Sequence, residues 1–230
     1  MTAGVDTSFE YHSDTPPGKD PDRYSPTLRR HHQLLWSKEL PSGEFFDLAP
    51  EPKSYLAHRS HLGEFRLSSD AITTRLQKQA ASLISSIPKD DIPPYRGYTA
   101  GSALVFPGIQ IGGQQVINQA RGCHPLIADR FDLTLECIRR HYLGVEPNPL
   151  SDALNRYKDF FALFNTFDGY VKFFLLQDLV EEDGVTIKYF HDFKNFTTPA
   201  VQQDKDQYLD YLRRKNNFIT ARNATIDAQP

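Results

Sequence analysis

The chain has 230 residues, of which 39% are hydrophobic and 12% aromatic, with a formal net charge of −3 and a sequence pI of 6.2. That length and apolar content point to one domain with a sizeable core, and the acidic balance argues against a general nucleic-acid coat protein, which is normally basic. A local basic patch remains compatible with it. Phe (16) and Tyr (11) far outnumber the single Met, so the core is expected to be built from rigid rings.

Residues 1–23 are polar, carry Pro16, Pro17, Gly18 and Pro21, and are expected to be irregular. Ser25 before Pro26 reads as a helix start, with Leu28, Leu34, Leu35 and Trp36 as its apolar side. His31 and His32 are adjacent and point about 100° apart on a helix, which suits hydrogen bonding rather than joint metal ligation. Pro41-Ser42-Gly43 marks a turn before a strand at Glu44–Leu48, and Leu62–Leu67 reads as another strand. His58, His61 and Glu64 are spaced three apart, but Gly63 argues against the helix that would align them on a metal. Ser69-Asp70 reads as the cap of a helix to about Ile87, with Ile72, Leu76, Ala80, Leu83, Ile84 and Ile87 inward and Thr73, Arg75, Lys78 and Gln79 solvated. A buried strand follows at Ala103–Phe106. Ile109–Ile111, Gly112-Gly113 and Gln115–Ile117 read as a hairpin, and no Gly-Lys-Ser/Thr follows those glycines, so they are not a phosphate loop.

The stretch Asn118–Tyr142 is the most unusual. It reads as a polar loop running into a helix that starts at Pro125, whose missing N–H suits a first turn. Ile127, Phe131, Thr134, Leu135, Ile138 and Tyr142 share one face, Asp129, Asp132, Glu136, Arg139 and Arg140 the opposite one, and Leu126, Leu133 and Cys137 a second apolar strip. A helix with apolar strips on both flanks of its charges is expected to be mostly buried, so its carboxylates need partners. Glu136 and Arg140 at i and i+4 supply one such pair. Asn118, Arg121 and Gly122 put an amide, a guanidinium and a flexible backbone near a helix N-terminus, a natural anion site.

Gly144, Pro147 and Pro149 then form a loop. Ser151-Asp152 caps a helix carrying Leu154, Tyr157, Phe161 and Phe164, and Phe167–Val180 reads as one buried helix. Lys172, Gln177 and Asp178 interrupt the latter, and no apolar run reaches membrane-spanning length. Val185–Phe190 alternates as a strand. The last helix is expected from about Asp204 to Arg222, with a tail at 223–230. The fold class that follows is α+β: a single domain over 24–222, several helices packed around a small, mainly antiparallel sheet. Cys123 and Cys137 form no paired motif and the N-terminus has no secretory pattern, which points to a soluble cytoplasmic protein.

Four pieces carry a family resemblance: Lys19-Asp-Pro-Asp22 with Ser25-Pro-Thr-Leu-Arg29 and Leu34-Leu-Trp-Ser-Lys38; Tyr98-Thr99 with Val105-Phe-Pro-Gly108; Asn118, Arg121-Gly122 and Asp129–Arg140; and Gly169-Tyr-Val with Phe173–Asp178. They resemble a family of bacterial proteins of unknown function, over most of the chain beyond residue 18. The resemblance implies a bacterial source and a stand-alone domain, and no activity.

Two functions compete. In the first, the chain is an enzyme on a phosphate-bearing substrate, a nucleotide or RNA. Asp129, Asp132 and Glu136 are its catalytic candidates, Asn118, Arg121, Arg140 and Arg96 its substrate-binding ones, and a divalent cation on the carboxylates is a variant. His141, another proton carrier, falls about 120° from Asp129 on the wheel and need not share its pocket. In the second, it is a non-enzymatic binding or immunity-type protein with a protein partner, and the charged helix is a structural network. ADP-ribosyl transfer ranks last: Tyr95-Arg96-Gly97 fits its arginine motif, but the downstream Glu-x-Glu is missing.

Overall fold

In the computed structural model, residues 4–51, 55–72, 80–94 and 97–229 are described. Asp20 caps a one-turn helix α1 (Pro21–Tyr24), and Ser25 caps α2 (Pro26–Trp36) by accepting from the Leu28 N–H at 3.0 Å. Each helix opens on a proline whose absent N–H costs nothing in a first turn. The expected turn at Pro41–Gly43 joins the short antiparallel pair β1 (Lys38–Glu39) and β2 (Phe45–Phe46), with Gly43 at φ 82°. A second antiparallel sheet runs in the order β3 (Ala49–Pro50), β4 (Leu56–Ser60), β5 (Gly63–Ala71) and β6 (Ala103–Pro107). β6 is buried throughout, and β5 pairs with it from Leu67 opposite Pro107 to Ala71 opposite Ala103.

The remaining helices are α3 (Ala81–Ser85), α4 (Ile117–Cys123), α5 (Phe131–Leu143), α6 (Ser151–Arg156), α7 (Lys158–Ala162), α8 (Phe167–Phe173) and α9 (Lys205–Asp227). The architecture is therefore the α+β domain expected, with antiparallel sheets. No helix among the described residues is long and apolar enough to cross a membrane. The core is ring-rich as composition requires: Trp36 and Phe174 lie 5.2 Å apart, Phe164 and Phe173 5.0 Å, Tyr170 and Phe174 4.9 Å. A smaller cluster of Tyr11, Leu28, Tyr98 and Ala103 ties the N-terminal segment down.

Several boundaries differ from the sequence reading. Ser69 and Asp70 do not cap a helix but extend β5, because their backbones pair with Val105 and Leu104. The expected positions Thr73, Arg75, Leu76, Lys78 and Gln79 lie outside the described residues, and α3 supplies only Ala81–Ser85. The hairpin expected at Ile109–Ile117 is turn and bend leading into α4, so the polar loop at Asn118 is helical. The helix expected from Pro125 starts at Phe131. Phe167–Val180 breaks after Phe173, where Leu175 turns left-handed at φ 54°. The strand expected at Val185–Phe190 reduces to one bridge between Val180 and Ile187, and α9 runs on through the expected tail to Asp227.

Arg222 of α9 mends the break after α8. Fully buried, it donates to the Phe174 carbonyl from Nε and Nη2 at 3.2 and 2.9 Å, to Leu175 from Nε at 3.2 Å, and to Gly101 and Ala103 from Nη1 at 2.9 Å each. Those carbonyls would otherwise be buried without donors, which is costly. Burial pulls this arginine down to about 9, far below its usual range. The same contact brings Gly101 so close to α9 that a Cβ would meet the Ile219 carbonyl oxygen at 2.5 Å. Gly101→Ala is expected to destabilise the fold by about 1–3 kcal/mol through overpacking, read as a lower urea midpoint at unchanged slope.

Candidate functional site: carboxylates around Arg121

Arg121 sits in the last turn of α4 and is 1% exposed. Its Nε donates to Thr134 Oγ1 on α5 at 2.9 Å, and its Nη2 to the Asp129 carbonyl at 3.1 Å. Its Nη1 lies 2.9 Å from Asp70 Oδ2 and 2.8 Å from Asp129 Oδ1, so one nitrogen joins two carboxylates. Asp129 belongs to no helix. It closes the turn between α4 and α5, where Ala128 and Asp129 are both left-handed, at φ 49° and 60°. Such backbone costs on the order of 1 kcal/mol or more per residue. Arg121 offsets this from both sides, since its carbonyl also accepts the Asp129 N–H at 3.2 Å.

A third carboxylate comes from the N-terminal segment. α1 packs against β5, and the Tyr98 hydroxyl donates a short hydrogen bond to Asp22 Oδ1. The Tyr98 backbone is itself pinned, its N–H donating to Glu10 Oε1 at 2.8 Å. Burial pushes Asp22 up to about 7, with the charge of Asp70 adding to it. Burial likewise lifts Asp70 to about 6, against the pull of Arg121 and with a push from Asp129. Asp70 and Asp129 therefore share one arginine, Asp22 stands near Asp70 on the hydroxyl of Tyr98, and burial is the first reason that Asp22 and Asp70 hold protons. The side chains of Asp70 and Asp129 keep 17% and 33% exposure, so solvent reaches them.

The other ionic groups of the central stretch are closed off. Asp132 is fully buried in a bidentate pair with Arg130, at 3.2 and 2.5 Å, and its Oδ2 also accepts from the Phe190 N–H at 2.9 Å. Glu136, 1% exposed, takes two hydrogen bonds from Arg139 and one from Arg140, at 2.7, 2.8 and 2.6 Å. Burial pushes Glu136 up, but these donors outweigh it and its pKa ends below the ordinary glutamate value. Arg140 is further held by the Pro147 carbonyl at 2.6 Å and Asn195 Oδ1 at 2.5 Å.

The structure thus divides the expected site residues. Asp129 and Arg121 meet at one centre. Asn118 stands beside it on α4, donating to the Ser69 carbonyl at 3.3 Å, with its buried Oδ1 lacking any hydrogen-bond partner. Asp132, Glu136 and Arg140 sit in the separate pairs just described, and Arg96 lies outside the described residues. Asp22, Asp70 and Tyr98 were missed as site residues. The available signal was that Asp22 and Tyr98 fall in two of the four recurring pieces, which the fold brings to the third.

Fold and site together define an α+β protein with a half-open carboxylate cluster built on one buried arginine. The chain matches the family of unknown function DUF6994 over residues 5–226 and belongs to it. No curated protein and no solved structure matches the chain.

The raised Asp22 has a signed consequence. Between its ordinary 3.8 and its folded value of about 7 the native state keeps a proton that the unfolded chain has lost. Its contribution is therefore full at low pH and is lost as pH rises through that window. Asp22→Asn should reduce this loss, measured as a smaller drop in urea midpoint from about pH 5 to about pH 8, with Asp70 keeping part of the slope. Asp132→Ala should instead cost about 3–5 kcal/mol near neutral pH, because it leaves Arg130 buried and unpaired.

Proposed function

We propose that the chain is an acid–base enzyme acting on a phosphate-bearing substrate, a nucleotide or RNA, at the Asp22–Asp70–Asp129 cluster. The observation that carries this reading is the pair Asp22 and Asp70, two neighbouring carboxyls held at about 7 and about 6. Near neutral pH such a pair offers a proton donor and a proton acceptor side by side. Tyr98 fixes one and Arg121 the other, so neither has to be ordered when the substrate binds. The strained backbone at Asp129 fits the same reading, since strain of this kind gathers at sites.

The roles shift from those the sequence favours. Proton transfer passes from Asp132 and Glu136 to Asp22 and Asp70, with Asp129 as the third carboxylate. Arg121 orders the acids instead of gripping an anion, because most of its N–H groups already serve the protein. Asn118, with its open buried oxygen, and Arg96 remain the substrate-binding candidates. A phosphate nearing these carboxylates is repelled unless a cation stands between them, which keeps a divalent cation in the proposal. Among the described residues, no group of three or more His, Cys, Asp or Glu is placed to hold a metal ion.

A second reading is favoured by the saturated pairs of Asp132 and Glu136: a binding or immunity-type protein in which the charged helix is structural. We also infer a bacterial source, from the four recurring pieces, and a cytoplasmic setting, from two unpaired cysteines.

The test is turnover of a panel of nucleotides and short RNAs, with and without magnesium, by the wild type and by Asp22→Asn and Asp70→Asn. Loss of a general acid or base is worth about 100-fold or more, and that drop is expected in both variants with the fold retained by circular dichroism. Wild-type rates in Asp22→Asn, or no turnover and no thermal shift across the panel, would sink the enzyme reading in favour of the second.

A further inference from the structure

We propose that the cleft between the 191–203 segment and the first turn of α9 is a second binding site, for a small ligand bearing a phosphate group. The cleft has a volume of about 540 Å³, and its walls include Arg130, His191, Asp192, Lys194, Gln203 and Gln207. That volume falls within the range of small-molecule pockets, roughly 300–1,000 Å³. None of Asp22, Asp70 and Asp129 lines it, so the inference goes beyond the acid–base reading and stands or falls separately.

The argument starts from Arg130, which is 1% exposed yet forms part of the cleft wall. Asp132 holds its Nε and Nη2, and the His191 carbonyl accepts a further bond from Nη2 at 2.9 Å. The guanidinium is thereby locked in one orientation, with both remaining N–H groups on Nη1. Nη1 makes one long contact, 3.4 Å to the Ala200 carbonyl. A buried, pre-oriented guanidinium with an N–H to spare is what recognition of a phosphate oxygen requires, and it loses little entropy on binding.

The rest of the wall adds donors. His191 flanks Arg130, and the Lys194 ammonium stands at the rim, 64% exposed. Gln207 has its Oε1 held by the Gln203 N–H at 3.1 Å, which orients its amide as a hydrogen-bond donor. The carboxylate on the wall, Asp192, is 77% exposed and 3.9 Å from Lys194, a loose pair that solvent screens. The charges of Asp132 and Arg130 offset one another, and burial holds His191 below the ordinary histidine value, so Lys194 is the cation left to a ligand on a wall otherwise rich in hydrogen-bond donors.

The experiment is titration of the full chain with inorganic phosphate at low ionic strength, followed by calorimetry, for the wild type and for Lys194→Ala, His191→Gln and Asp22→Asn. Lys194 is exposed and His191 half-exposed, so both variants should fold. Saturable binding is expected, weakened about ten-fold by Lys194→Ala and by His191→Gln, the size of one charge-assisted hydrogen bond. Asp22→Asn should bind as the wild type does. Absence of saturable binding overturns the proposal, as does binding indifferent to both cleft substitutions or lost in Asp22→Asn.

Discussion

Burying the guanidinium of Arg121 sets the terms for the middle of this molecule. A cation taken out of water must be met by acceptors, and the fold supplies them from three separate places: Asp70 on β5, Asp129 in the α4–α5 turn and Thr134 on α5. Each acceptor fixes a piece of chain. Asp70 pins the end of the long strand to α4, Thr134 sets the distance between α4 and α5, and Asp129 is held in a left-handed conformation that the backbone would otherwise avoid. The cost of that arrangement appears at the carboxyls themselves: burial lifts Asp22 and Asp70, and the neighbouring charges of Asp70 and Asp129 add to it.

Four other buried cations show that burial alone does not gather open carboxylates. Arg130 and Arg140 are paired with carboxylates that have no exposure to speak of, and Arg222 is satisfied by backbone carbonyls alone. Arg140 and Arg222 work as fasteners, the latter joining α9 to the end of α8 and to the turn before β6. Lys215 lies fully buried beneath Tyr211 with no hydrogen-bond partner, and burial lowers it to about 8. What separates Arg121 from Arg130, Arg140 and Arg222 is stoichiometry and access: more carboxylates than it can balance, two of them still reached by solvent.

The sequence made much of this legible. The ring-rich core, the Ser25-Pro26 helix start, the turn at Pro41–Gly43 and the buried strand at Ala103–Phe106 all follow from local chemistry and are found where expected. The ionic character of α5 was also legible, including the Glu136–Arg140 pair. What misled was residue type serving two masters. Ser and Asp at 69–70 are good helix caps, and only pairing with β6 places them in a strand. Pro125 suits a first helical turn, but the left-handed Ala128 and Asp129 intervene without a glycine to announce them.

The same reasoning explains why the cluster itself could not be read from one stretch. Asp129 and Arg121 are eight positions apart and share a turn, so their meeting is local. Asp70 reaches them through strand pairing, and Asp22 through the packing of a one-turn helix on that strand, contacts that depend on the whole sheet being in register. Asp132 and Glu136 looked better placed because they follow Asp129 along the chain at helical spacing. They are turned toward Arg130, Arg139 and Arg140, where every oxygen has a donor. A carboxylate is available for proton transfer when the protein leaves it under-compensated and in reach of solvent. In this chain distant segments bring such carboxylates together near Arg121, whereas those along the helix richest in charge are paired.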